Sequence, residues 1–260
     1  MQPLSSMPPR LCRQIEVVFS DIDDTMTNGG RIPVRAFDAV WRAHVAGLQV
    51  VLVTGRPAGW CDHLARMWPV GAVVGENGAL AFRLEGERML RVYSPRQPDA
   101  AQRLERIRAQ VLAEVPGCKV AADQPYREYD LAIDIAEEVP RLDDQAIDRI
   151  VAIFESHGAS AKVSSIHVNG WFGSHDKLTM CRRCAAELLK QELDLSCATF
   201  IGDSPNDVPM FRFFPHAVGV ATVRAWSHRM DALPAYVTSA AGGEGFAELI
   251  DLLLASRERR

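Results

Sequence analysis

The chain has 260 residues, 48% hydrophobic and 24% charged, the balance of a soluble globular protein rather than of a fibrous or low-complexity one. Its 29 basic and 33 acidic residues leave a formal net charge of −4, which argues against a general nucleic-acid or acidic-membrane partner. No apolar run approaches the roughly 20 residues of a membrane span. The six cysteines are too scattered for a disulfide framework, so buried thiols in a reducing cytoplasm are expected.

Residues 1–14 read as a short disordered lead-in, without the apolar stretch of a secretory signal. Residues 15–20 (IEVVFS) are β-branched and apolar, a buried parallel strand. Polarity flips at Asp21-Ile22-Asp23-Asp24-Thr25. Pro33 opens a helix whose predicted apolar face is Val34, Phe37, Val40, Trp41 and Val45, and Gly47 ends it. Residues 48–53 form a second strand, stopped by Thr54-Gly55-Arg56-Pro57. A helix through Trp60, Leu64 and Met67 and a strand at 72–74 follow, then Glu76-Asn77-Gly78. Such alternation predicts a parallel sheet covered on both faces, with a ligand crevice beyond the carboxyl ends of its strands.

The middle third reads differently. Residues 83–93 are hairpin-like and 99–115 a charged helix. Residues 131–135 alternate as a strand, 143–157 form a helix, and 161–168 form a further strand. This is a small α+β module with one solvated sheet face. The last third returns to the first pattern: a helix at 178–189, a strand at 198–201 ending in Gly202-Asp203, a short helix at 210–214, strands near 217–221 and 236–238, and a closing helix at 246–254. The outer thirds therefore form one α/β domain and the middle is an insertion.

Asp21, Asp23, Asp203 and Asp207 all stand at or just beyond strand ends, so this topology gathers them on one edge. Carboxylates so close repel, and a hard dication relieves the repulsion. Magnesium suits, because it takes a few carboxylates and keeps other positions for water and phosphate.

Asp21-Ile22-Asp23-Asp24-Thr25 resembles the first motif, DxDxT, of the haloacid-dehalogenase superfamily of phosphohydrolases. Val53-Thr54-Gly55-Arg56 resembles the second motif, Lys177 the third, and residues 202–207 (GDSPND) the fourth. An insertion between motifs two and three resembles the class II cap, pointing to the Cof-like IIB branch with its sugar-phosphate phosphatases and phosphomannomutase. The resemblance implies a Rossmann-like parallel-sheet α/β core over 15–82 and 173–260, with an α+β cap over 83–172. It implies a magnesium-dependent phosphatase for a small-molecule phosphate ester, a sugar phosphate or glycosyl phosphate, in a monomer or small homo-oligomer.

By the same resemblance, Asp21 is the nucleophile that forms an aspartyl-phosphate, and Asp23 is the general acid and base. Asp21, the main-chain carbonyl of Asp23 and Asp203 hold the metal, with Asp207 a ligand or an orienter of its shell. Thr54 bonds a phosphoryl oxygen and Lys177 neutralises charge. Gly55, Arg56, Asn77 and Asn206 belong to the substrate side. In the cap, His167 and Asn169 share a strand face turned to the site, and Trp171 stacks on a sugar. Asp24 stands where this branch more often has glycine, and it is expected to point away. Thr25 is expected to donate to loop backbone.

Cys181-Arg182-Arg183-Cys184 lacks the second pair a zinc site needs. Neighbours 60–63 (WCDH) point to different helix faces, and the arginines of 102–108 form a solvated face. Three other functions stay open at this point. A phosphomutase needs a second phosphate locus in the cap. A DxD glycosyltransferase gives no role to Lys177 or 202–207. A silent binding module would be expected to have lost Asp21.

Overall fold

The computed structural model describes residues 1–258. In chain order its elements begin with β1 (Gln2–Pro3), α1 (Pro9–Gln14), β2 (Val17–Ser20), α2 (Val34–Val45), β3 (Gln49–Val53) and α3 (Ala58–Met67). Then come β4 (Ala72–Gly75), β5 (Leu80–Glu85), β6 (Arg88–Tyr93), α4 (Ala100–Glu114), β7 (Lys119–Val120), β8 (Leu131–Asp134), α5 (Asp144–Ser156), β9 (Ser160–Val163) and β10 (His167–Trp171). The chain closes with α6 (Lys177–Arg183), β11 (Ala198–Gly202), α7 (Val208–Phe213), β12 (Val218–Gly219), α8 (Val223–Trp226), β13 (Tyr236–Val237) and α9 (Gly242–Glu258).

The larger sheet has the order β1-β13-β12-β11-β2-β3-β4-β5-β6. It is parallel from β1 to β4, and antiparallel across β4, β5 and β6. Its central strands are apolar along their length because both faces are covered. Val18, Val50 and Leu52 pack toward α2 and α9, while Phe19, Val51, Val53 and Phe200 pack toward α6 and α7. Strand order turns back between β11 and β2, so the crevice opens where Asp21 and Asp203 end their strands.

The smaller sheet, β7-β8-β10-β9, is antiparallel, with α4 and α5 on one face. Ile107, Val111, Ile147, Ile150 and Phe154 close over Ile133 and Val168 there. Gly170 is required at that contact, since a Cβ would lie 2.1 Å from the Phe154 ring.

Five sequence expectations change. Residues 1–14 are not a disordered lead-in: β1 pairs with β13, and Leu4, Met7, Leu11 and Cys12 are buried in the core. Their spacing is that of a helical stripe, which α1 and the turn before it lay on the sheet's α9 side. Residues 83–93 form a hairpin, but it extends the large sheet, so the sheet boundary falls after Tyr93 rather than Phe82. The single strand expected at 161–168 is two antiparallel strands, because 164–166 turn between β9 and β10. The helix face of α2 is also rotated. Ala36, Ala39, Val40 and Ala43 are buried, whereas Val34 and Val45 are more than 80% exposed and Trp41 is 47% exposed. Small side chains let α2 approach α9 closely, and Arg42 bonds Asp251 across that contact at 2.7 Å.

The cap sheet's second face is not solvated either. Both β8 and β10 are buried along their whole length, because this face turns to the strand ends of the core. Among the described residues no helix is long and apolar enough to cross a membrane. Five of the six cysteines are buried, and all six are free.

Candidate active site

Asp21 leaves β2 with its amide donating to Ile201 O at 2.9 Å, which ties the strand end to β11. The chain then bends tightly, and Asp24 takes φ +55°, a left-handed conformation that suits glycine and, among side-chain residues, aspartate and asparagine. Its amide donates to Thr27 Oγ1 at 3.0 Å. That conformation explains how an aspartate stands at a position where the resembling branch uses glycine. Thr25 differs from expectation: its hydroxyl reaches Asp203 Oδ1 at 3.4 Å rather than loop backbone.

Lys177 opens α6, whose cap is Asp176 accepting from Thr179 N at 2.6 Å. Its buried ammonium donates to Asp21 Oδ1 at 2.6 Å, Asp207 Oδ1 at 2.7 Å and Asn206 Oδ1 at 3.1 Å. Burial would lower the Lys177 pKa, but Asp207 and Asp21 hold it above the usual range, so it stays a cation. Asp207 Oδ2 accepts from the amides of Asp203 and Ser204 at 3.0 and 3.3 Å. Gly202 makes room for that turn, as a Cβ there would lie 2.3 Å from Asp207 Oδ2. Both Asp207 oxygens are thus engaged, one on the lysine and one on the loop.

Asp21, Asp203 and Asp207 each bring a carboxylate oxygen within 4.8 Å of the others. Asp203 Oδ2 is buried without a hydrogen-bond partner among the described residues. Burial raises the Asp203 carboxyl well above the ordinary value, and the charges of Asp21 and Asp207 raise it further. A cluster of buried oxygen donors with one left unpaired fits a hard divalent cation.

The Asp23 carboxylate stands outside this cluster. Arg56 Nε lies 3.1 and 3.0 Å from its two oxygens, and Nη2 lies 2.9 Å from Oδ1. The same guanidinium reaches into the cap, to Glu137 Oε1 at 2.7 Å and Asp123 Oδ2 at 3.3 Å. His167 Nε2 is 2.8 Å from the other Glu137 oxygen. Burial alone would raise Glu137, but His167 and Arg56 hold its carboxyl down to about 2. Behind Arg56, buried Arg127 binds Asp123 and Asp130 at 3.0 Å each and donates to Gly55 O at 2.7 Å. Asn169 donates to Asp130 Oδ2 at 2.8 Å.

Asp21, Asp23, Gly55, Arg56, Ser164–Ile166, His167, Asn169, Ser204 and Asn206 surround the space between cap and core. It measures about 10 Å³, room for one water-sized group, so the cap is closed. The structure therefore brings Asp21, Asp23, Gly55, Arg56, His167, Asn169 and Asn206 to one cavity, with Lys177 bonded to Asp21 behind it. Thr54 accepts the Arg56 amide at 3.0 Å, which leaves its hydroxyl hydrogen to donate. Two expected substrate residues lie elsewhere. Asn77 sits behind Gly55, and a Cβ on that glycine would be 3.1 Å from Asn77 Nδ2. Trp171 is buried at the return from the cap, donates to His175 O at 3.2 Å and stacks on the His175 ring, so it offers no face to a sugar. Glu76, Asp123, Arg127, Asp130, Glu137 and Ser204 were not predicted. No sequence signal marks the five acidic and basic ones, because the contacts that tie them into the site, Arg56 with Asp123 and Glu137, Gly55 with Arg127, Asn169 with Asp130 and Glu128 with Glu76, are 39 or more residues apart. Ser204 lies inside the fourth motif and was legible there.

A family model for haloacid dehalogenase-like hydrolases matches residues 18–111. Over that stretch the chain is similar to that family. It is 28% identical over 257 residues to a phosphoglycolate phosphatase of Methanothrix thermoacetophila, covering 93% of this chain and 98% of the relative. Thermoplasma acidophilum 0175 has the same fold, with a TM-score of 0.71 at 20% identity over 92% of this chain and 98% of that one. The sucrose-phosphatase of Synechocystis, solved with sucrose and phosphate, superposes with a TM-score of 0.65 at 16% identity, over 93% and 98% of the two chains. The chain thus shares its fold with proteins that match nearly its whole length.

Proposed function

We propose that this protein is a magnesium-dependent phosphatase that hydrolyses a small phosphorylated metabolite, a sugar phosphate or glycosyl phosphate, through an aspartyl-phosphate. The observation that carries the reading is Asp21 on Lys177 beside the unpaired oxygen of Asp203, with Asp23 held separately on Arg56. Two carboxylates in such different surroundings suit two different tasks. The phosphatase relative and the sucrose-phosphatase neighbour support a small ester as substrate.

In this reading an Asp21 oxygen attacks phosphorus and the bond from phosphorus to the ester oxygen breaks. Asp23, protonated, gives its proton to the departing alkoxide; its carboxylate then takes a proton from the water that attacks the aspartyl-phosphate. Water's oxygen bonds phosphorus, the bond to Asp21 breaks, and phosphate leaves. Lys177 balances charge on Asp21 and the phosphoryl oxygens, and the Thr54 hydroxyl and Asn206 amide orient them. Magnesium, held by Asp21, Asp203 and the Asp23 carbonyl with Asp207 orienting, would supply positive charge to nucleophile and phosphoryl group. The closed cap keeps bulk water out, so it has to open for each substrate.

The test is a panel of phosphorylated metabolites with magnesium, with Asp21→Asn as blank. Release of phosphate from small esters, reduced about 10³-fold or more in the variant, is the expected result. Equal release by the variant, or isomerised sugar phosphate in place of free phosphate, would overturn it.

A further inference from the structure

Glu76 lies outside the catalytic cavity, between β4 and β5, and is completely buried. It holds φ +45° and is followed by Asn77 at φ +53°. A glutamate in the left-handed region is costly, so the surrounding structure imposes it. Its carboxylate explains why. Oε1 accepts from the amides of Ala58 at 2.9 Å and Glu128 at 2.8 Å, and Oε2 from those of Tyr129 at 2.6 Å and Asp130 at 3.2 Å. One core carboxylate therefore receives three consecutive amides of a cap loop.

That loop stands at the crossing between the domains. The Tyr129 hydroxyl donates to Ser94 O at 2.8 Å on the outgoing linker. Its ring stacks on Tyr93 and meets His175 of the return linker edge-on, with centroids 6.4 and 5.8 Å away, and Arg96 covers it at 4.4 Å. Beyond the anchored amide, the Asp130 side chain holds Arg127 and Asn169; Arg127 holds Asp123; and Asp123 meets Arg56, which grips Asp23.

We propose that Glu76 is a positioning residue: a fixed pivot that pins residues 128–130 of the cap to the core and so sets Arg56 against Asp23 when the cap closes. It never touches substrate. The pivot keeps the hinge side of the cap in place while the far edge, at Ser164–His167, moves off the cavity. Amides bonded to a buried side chain resist exchange, so the pivot is observable without turnover.

Hydrogen exchange of the full-length protein tests this. In the unaltered chain the amides of Glu128, Tyr129 and Asp130 exchange as slowly as those of β4 and β5. In Glu76→Gln an amide NH₂ faces two of the donors, and exchange at 128–130 rises about 10-fold or more while β2 and β3 stay protected. The kinetic arm rests on the phosphatase reading and compares an alkyl phosphate with para-nitrophenyl phosphate, whose leaving group needs little proton donation. Glu76→Gln lowers kcat on the alkyl ester about 10-fold more than on the aryl ester, because Asp23 is what the relay serves. Fast exchange at 128–130 in the unaltered chain overturns the proposal even if the variant fails to fold. So does a folded variant with unchanged exchange or an unchanged alkyl-to-aryl ratio. Absence of phosphatase activity would sink the functional reading while leaving the exchange result to decide the pivot.

Discussion

Arg56 holds both carboxylate oxygens of Asp23 with Nε, at 3.0 and 3.1 Å, while its Nη atoms bind two cap carboxylates, Asp123 and Glu137. One guanidinium thus joins the proposed general acid to the cap. Its planar fork is what allows several partners at fixed angles, and a lysine cannot reproduce it. Arg56→Lys is expected to lower kcat on alkyl phosphates about 10- to 100-fold, with a smaller loss on para-nitrophenyl phosphate. Steady-state kinetics on both esters checks it, and an equal loss on the two would place Arg56 on the phosphoryl group instead.

Asp203 has an unpaired buried oxygen and a carboxyl raised by burial and by its acidic neighbours. Asp203→Asn removes that repulsion together with a proposed metal ligand. The expected variant is as stable as the unaltered chain, or more so, in the presence of chelator, and gains nothing from magnesium. Thermal unfolding with and without the ion measures this; an undiminished magnesium shift would remove Asp203 from the ligand set.

Burial lifts the Asp21 carboxyl to about 8, against the pull of Lys177. The folded chain then keeps a proton that the unfolded chain releases near its ordinary value of 3.8. The contribution of Asp21 to metal-free stability is therefore full below about pH 3.8 and is lost as pH rises toward about 8. A dication binds the ionised form, so its stabilisation grows across the same window. The melting temperature in chelator should be lower at about pH 8 than at about pH 5.5, with the larger magnesium shift at the higher pH. A magnesium shift that shrinks with rising pH would contradict the arrangement.

The Trp171 indole bonds His175 O and stacks on its ring, away from the cavity. Trp171→Phe should cost about 1 kcal/mol of stability through the lost hydrogen bond and leave KM for a sugar phosphate within about twofold. A KM raised by tenfold or more would return the ring to the substrate.

What could be read in the sequence follows a simple division. Strands such as β2 and β3 were legible because burial on both faces demands continuous β-branched residues, and the motifs were legible because each sits within a few residues of one strand end. The face of α2 was misread because alanines, weak in any apolar pattern, were the residues that packed. Residues 1–14 were misread because a short stripe of Leu4, Met7 and Leu11 acquires meaning only when a sheet edge receives it.

The sequence by itself determined the alternating core, the inserted middle and the acidic and basic residues gathered at the strand ends, since each depends on local spacing and on the direction of parallel strands. Only the tertiary structure decided that Asp203 keeps an oxygen free, that Arg56 is shared between Asp23 and the cap, that Trp171 is buried, and that Glu76 holds residues 128–130. Those four depend on groups far apart in the chain, brought together by packing and charge pairing that no local pattern encodes.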